Sequence, residues 1–170
     1  MAKFKTVLMI ATLAVAAAGC GPKRPPQLPP SPGPGPGPGP DDNIGGGMAQ
    51  PGTPEHFRQN VISDTINFGF DQYDIDSRAR QILDSQAQWL SQYPATRITL
   101  EGHADERGTR EYNLALGDRR ANAAKNYLAA RGVSPARITT ISYGKERPIA
   151  LGSDEASWAQ NRRAVTIVLN

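Results

Sequence analysis

The chain has 170 residues, a length that suits one domain or at most two. Its 19 Lys and Arg against 16 Asp and Glu leave a net charge of only +3, and from Glu55 onward 15 basic residues face 14 acidic ones. A near-neutral domain has no polybasic stripe for a phosphate backbone, so nucleic acid is excluded as a partner. One Cys excludes an internal disulfide framework and a four-thiolate zinc site, and His56 and His103 alone argue against a His-rich metal or haem site. No metal and no cofactor are expected.

In chain order, the first segment reads as a targeting signal. Lys3 and Lys5 precede a charge-free run from Val7 to Ala18, too short for a membrane-spanning helix and suited to the apolar part of a secretory signal. It ends in Ala17-Ala18-Gly19-Cys20, which resembles a bacterial lipobox with Ala17 in place of the usual Leu. Residues 1–19 are therefore expected to be a signal peptide and Cys20 an acylated N-terminus; acylation also accounts for an unpaired thiol in an exported protein. Gly21 in place of Asp after the Cys favours the outer membrane. Residues 20–54 form a tether: 21 of the 34 positions from Gly21 to Pro54 are Pro or Gly. The Pro-Gly alternation up to Pro40 is extended yet loose, and its two-residue period excludes collagen.

Residues 55–170 read as alternating strands and helices. Ile66, Phe68 and Phe70 share one face of a strand from Thr65 to Phe70. Asp76 or Ser77 caps a helix with apolar Ala79, Ile82, Leu83, Ala87, Leu90 and Tyr93, ended by Pro94. A second strand spans Arg97 to Gly102, and Asp105 to Thr109 is a turn. Thr109 caps a helix carrying Leu116, Ala123, Ala124, Tyr127 and Leu128, and Gly132 supplies its left-handed end. A third strand runs from Ile138 to Tyr143, a short helix starts at Ser153-Asp154-Glu155, and a fourth strand spans Ala164 to Leu169. This is an α+β sandwich, β-α-β-α-β-(α)-β, with helices on one face of a mixed four-stranded sheet.

Gly102-His103-Ala104-Asp105-Glu106-Arg107-Gly108-Thr109, with Glu111-Tyr112-Asn113 and Leu116-Gly117-Asp118-Arg119-Arg120-Ala121, resembles the signature of OmpA-like peptidoglycan-binding domains. The blocks Phe68-Gly69-Phe70-Asp71, Tyr73-Asp74-Ile75, Ser142-Tyr143-Gly144 and Asn161-Arg162-Arg163-Ala164 match as well. Behind a lipobox, the pattern is most similar to the peptidoglycan-associated lipoproteins of that family. The resemblance implies an outer-membrane lipoprotein whose periplasmic domain binds the diaminopimelate of peptidoglycan stem peptides. It would link membrane to wall within a Tol–Pal-type system, with Tol proteins such as TolB as partners, supporting envelope integrity and cell division.

The free end of diaminopimelate carries an ammonium and a carboxylate on one carbon, so its recognition needs a fixed anion beside a fixed bidentate cation. By the resemblance, Asp105 takes the ammonium and Arg120 the carboxylate. Charge pattern alone favours a salt bridge between the two, or a turn cap. Asp71 adds a contact through backbone or carboxylate, and Phe70 is a pocket wall or core. Leu116 is half core and half lining, and Asn113 orients the Asp105 loop through its backbone. Arg119 and Arg163 read as solvated or structural, Trp89 and Trp158 as packing or surface residues, and His103 as a structural or pocket-rim residue.

A cell-wall hydrolase is the enzymatic alternative, and it lacks parts. There is no second His in the patterned region for a zinc amidase, no Gly-x-Ser-x-Gly elbow and no Cys outside the lipobox. A glycosidase-type acid at Asp105 would need a raised pKa, which neighbouring Arg107 or Arg120 would oppose. The chain is read as non-catalytic, with a purely protein-binding periplasmic scaffold as the other alternative.

Overall fold

The computed structural model describes residues 49–169; the signal segment, Cys20 and most of the tether lie outside them. The chain runs α1 (Pro54–Asn60), β1 (Thr65–Asn67), α2 (Ser77–Gln92), β2 (Arg97–His103), α3 (Arg110–Ala130), a 3₁₀ turn (Pro135–Arg137), β3 (Ile138–Gly144), α4 (Glu155–Asn161) and β4 (Arg163–Leu169). The four strands form one mixed sheet in the order β1-β4-β2-β3. β2 and β3 are parallel, and β4 is antiparallel to both β1 and β2. The α+β class and the mixed four-stranded sheet are as the sequence implies.

The helix starts follow from local chemistry. The Asp76 carboxylate accepts from the Ala79 amide at 2.7 Å and the Thr109 hydroxyl from the Tyr112 amide at 3.2 Å, satisfying amides that a helix leaves unpaired. Gly132, at φ +93°, lets the chain leave α3 while its amide bonds Ala129 O and the Val133 amide bonds Leu128 O. α3 lies against β2 and β3, and α2 against β1. Between the layers, Ile66, Leu83, Leu90, Ile98, Leu100, Ala124 and Leu128 form the buried core.

Three features depart from the sequence reading. α1 was absent from it; Pro54, placed in the tether on composition, is the first residue of this helix, where its missing N–H costs nothing. Phe57 of α1 is buried edge-on against Trp89 at 5.0 Å, and Trp89 donates to His56 Nδ1 at 2.9 Å, so Trp89 is packing. β1 ends at Asn67 rather than Phe70: the chain turns at Gly69, with the Gln72 amide bonded to Gly69 O, and Asp71 takes a positive φ of 55°. Phe70 therefore does not share the core face with Ile66 and Phe68; it is 62% exposed. Tyr93 is not within α2 but is its C-terminal cap residue.

Pairing of β2 with β3 stays in step from Ile98 to Gly102, then slips by one residue so that His103 sits opposite Gly144. The Ala104 amide closes onto Gly144 O at 2.8 Å. The slip falls at the end of β2, immediately before the Asp105 turn, and gathers the turn, the Gly69–Gln72 corner and the start of α3 at one end of the sheet.

Candidate functional site

At that end lies a pocket of about 260 Å³ lined by Phe70, Asp71, Asp105, Arg107, Gly108, Tyr112, Asn113, Leu116 and Arg120. The structure thus brings together all six residues selected from the sequence: Asp105, Arg120, Asp71, Phe70, Leu116 and Asn113. Leu116 is buried and lines the wall, while Phe70 stands at the rim rather than in the core.

Arg120 is reached through α3, whose face turns toward β2 where Gly117 meets Gly102. The residue is 0% exposed, yet among the described residues no carboxylate bonds its guanidinium. Instead Nε donates to Gln72 O at 2.8 Å, Nη1 to His103 O at 2.8 Å and Nη2 to Gly69 O at 3.1 Å. Three of five N–H groups are used, which leaves one on each Nη for another acceptor. Burial, and then the nearby Arg162, pull its pKa down to about 10, so it keeps its charge at neutral pH.

Asp105 is 5% exposed and is held by two other arginines. Arg107 grips it in a bidentate fork, Nη2 to Oδ2 at 2.6 Å and Nε to Oδ1 at 3.1 Å, and the Arg107 amide adds a third bond at 3.1 Å. Arg162 Nη1 lies 3.4 Å from Oδ2. A direct Asp105–Arg120 bridge is therefore not what holds either residue. Burial would raise the Asp105 pKa, but the hydrogen bonds and charge of Arg107, with Arg162 behind them, outweigh it and the net shift is downward.

The flanking groups complete the frame. Asn113, 1% exposed, donates from Nδ2 to Arg107 O at 2.7 Å and to Thr109 O at 3.1 Å, bracing the loop through its backbone. Lys145 Nζ braces it from the other side, bonding Gly108 O at 2.7 Å and Glu106 O at 3.1 Å. The Asp71 carboxylate accepts from the Tyr112 hydroxyl, and this bond holds the phenol's pKa above its usual value. Arg107 stacks between the Phe70 and Trp158 rings, with its guanidinium carbon 4.3 Å and 4.0 Å from their centroids.

Sequence reasoning named Arg107 as a charge that would lower the Asp105 pKa, as it does, but missed Arg162, Tyr112 and Trp158 as members of this network. Arg162 is 5% exposed, bonding Phe68 O at 3.0 Å and Glu155 at 2.6 Å as well as facing Asp105. Its one signal was its place in the Asn161-Arg162-Arg163-Ala164 block. Arg163, also buried, bonds Arg147 O at 3.2 Å, and Arg119 is exposed. His103 is not at the rim: it is 2% exposed, and among the described residues neither ring nitrogen has a hydrogen-bond partner, the Glu101 carboxylate standing 3.6 Å from Nε2. Among the described residues no cluster of three or more His, Cys, Asp or Glu could hold a metal ion, and no helix is long and apolar enough to cross a membrane.

Comparison with known proteins agrees with this architecture. The pattern that describes the OmpA family matches residues 67–162. The peptidoglycan-associated lipoprotein of Agrobacterium fabrum is 52% identical over 157 residues, covering 92% of this chain and 84% of that protein. The crystal structure of the peptidoglycan-associated lipoprotein from Burkholderia pseudomallei superposes with a TM-score of 0.63 at 42% identity, over 72% of this chain and 98% of that one. The C-terminal domain of Helicobacter pylori MotB shares the fold, with a TM-score of 0.55 at 21% identity over 62% of this chain and 84% of that one. On the strength of the matched pattern and the identity over most of both chains, the chain belongs to the OmpA family, among its peptidoglycan-associated lipoproteins.

Proposed function

We propose that the pocket binds the zwitterionic end of diaminopimelate in peptidoglycan stem peptides, with Arg120 receiving the carboxylate and Asp105 the ammonium. The carrying observation is the Arg120 guanidinium: it belongs to a buried residue that lines the pocket, is held rigid by three backbone carbonyls, and has two N–H groups beyond those bonds. A buried, charged, immobile donor favours an anion that fits, because three neutral carbonyls offset only part of its lost hydration. Asp71 and Asn113 hold the pocket's two edges, and Phe70 and Leu116 supply its apolar walls.

The role is binding rather than hydrolysis. Arg107 keeps Asp105 ionised at neutral pH, which disqualifies it as the proton donor a glycosidase would need. With Cys20 acylated in the outer membrane and the Pro- and Gly-rich residues ahead of α1 as a tether, such a domain would fasten membrane to wall. Tol proteins such as TolB are its proposed protein partners, in a system supporting envelope integrity and cell division.

Co-sedimentation with purified sacculi tests the reading. Asp105→Asn and Arg120→Lys keep side-chain size or charge, and each is expected to abolish pelleting of a domain whose circular dichroism is unchanged. Normal pelleting of both folded variants would discard this pocket. Release of muropeptides by the wild-type domain would restore the hydrolase.

A further inference from the structure

Of the two cations on Asp105, one is built in and the other is held only by its side chain. Arg162 is buried and tied to Phe68 O and Glu155, so it cannot leave without dismantling the joint between β1 and β4. The Arg107 side chain is 33% exposed, and its two hydrogen bonds among the described residues both go to Asp105. Its remaining contacts are the Phe70 and Trp158 rings, which grip a cation without fixing its direction.

The backbone beneath it is pinned independently. Asn113 holds Arg107 O, and Lys145 holds Glu106 O and Gly108 O. The Arg107 side chain can therefore swing away while the loop, and with it Asp105, stays in place. An arriving ammonium needs the same Asp105 oxygens that the Arg107 fork occupies.

Resting on the diaminopimelate reading above, we infer that Arg107 is an internal counter-cation that occupies the ammonium position on Asp105 until ligand displaces it, and that this exchange selects a zwitterion over a simple amine. Displacement strips Arg107 of its hydrogen-bonded anion and leaves it only the weaker influence of the Glu155 and Glu106 charges. A ligand that brings a carboxylate beside its ammonium offers a replacement; a plain amine offers none and bears the whole loss. Arg107 is thus a specificity-determining residue: it penalises amines that lack the adjacent carboxylate.

The test uses the tripeptide L-Ala–γ-D-Glu–meso-diaminopimelate and its counterpart with L-Lys in third place, titrated calorimetrically into the wild-type protein and Arg107→Met. Met keeps an apolar stem between the two rings and removes the competing charge. The Lys peptide is expected to bind Arg107→Met about fivefold more tightly than wild type, the scale of a partly exposed ion pair, and the diaminopimelate peptide to change less. Lys-peptide binding that is no tighter in the variant, or diaminopimelate binding lost outright, overturns the exchange, the latter by making Arg107 a direct ligand contact. Asp105→Asn separates the two levels: if it binds the diaminopimelate peptide as wild type does, the pocket reading itself falls.

Discussion

Gly102 of β2 and Gly117 of α3 are in backbone contact: a methyl group added to Gly102 would lie 1.8 Å from Gly117 O, and one added to Gly117 would lie 2.8 Å from Gly102 O. Only two residues without side chains let the helix come this close to the strand. This approach sets the depth at which Arg120, one turn further along α3, meets the carbonyls of His103, Gly69 and Gln72. Gly102→Ala is expected to cost at least about 3 kcal/mol, because the obstacle is backbone that cannot move aside. Guanidinium denaturation measures it, and a loss below about 1 kcal/mol would show that α3 can shift outward.

Asn113 couples the start of α3 to the Asp105 loop. Asn113→Ala strips the side-chain bonds to Arg107 O and Thr109 O; Thr109 O keeps the residue-113 amide, but the half-buried Arg107 carbonyl loses its donor, a loss of roughly 1–3 kcal/mol. Weakened pelleting with sacculi is expected alongside the lower stability. Stability lost with pelleting intact would show that the loop keeps its shape without this brace.

His103 has a pH signature of known sign. Burial, then Arg163 and Arg147, lower its pKa from 6.5 to about 4, so the folded protein keeps the ring neutral where the unfolded chain protonates it. That contribution to stability is complete above pH 6.5 and is lost as the pH falls through about 4. The wild-type Tm should therefore fall between these values. His103→Leu, which also removes two unpartnered ring nitrogens, should flatten the profile and raise Tm at pH 7. An equally steep acid loss in the variant would assign the effect to other groups.

In the proposed function, membrane attachment rests on Cys20. Expressed with its signal segment in a Gram-negative host, the wild-type protein is expected in the detergent phase and Cys20→Ser in the soluble fraction. Equal partitioning of both proteins would remove the lipid anchor from the proposed function.

Much of the fold was legible because its causes are local. Asp76, Thr109 and Asp154 each cap the helix that follows, and Gly132 ends α3, through contacts spanning a few residues. α1 was hidden because seven residues around a single buried Phe57 carry no period, and the Pro that marks its start sits among tether prolines. Phe70 continued an alternating pattern, but the Gly69–Gln72 corner, which turns it outward, is closed around Arg120, 48 residues beyond Gln72.

The buried arginines show why the site was harder to read than the fold. Arg120 and Arg162 look like surface residues in any pattern of polar and apolar positions. Arg120 is instead held by three backbone carbonyls from distant segments, and Arg162 by Phe68 O together with the Glu155 and Asp105 carboxylates. A charged side chain can be buried only where such acceptors converge, and convergence is a property of the assembled chain.

By itself, then, the order of residues determined every element but α1, the helix caps and, through the family's motif blocks, six of the residues that line the pocket, because periodicity, capping and motif spacing act over a few positions. Only the tertiary structure decided how those side chains are paired. It placed Arg107 and Arg162, rather than Arg120, on Asp105, since the packing of α3 on β2 and of β4 against β1 sets which cation stands within hydrogen-bond reach of that carboxylate.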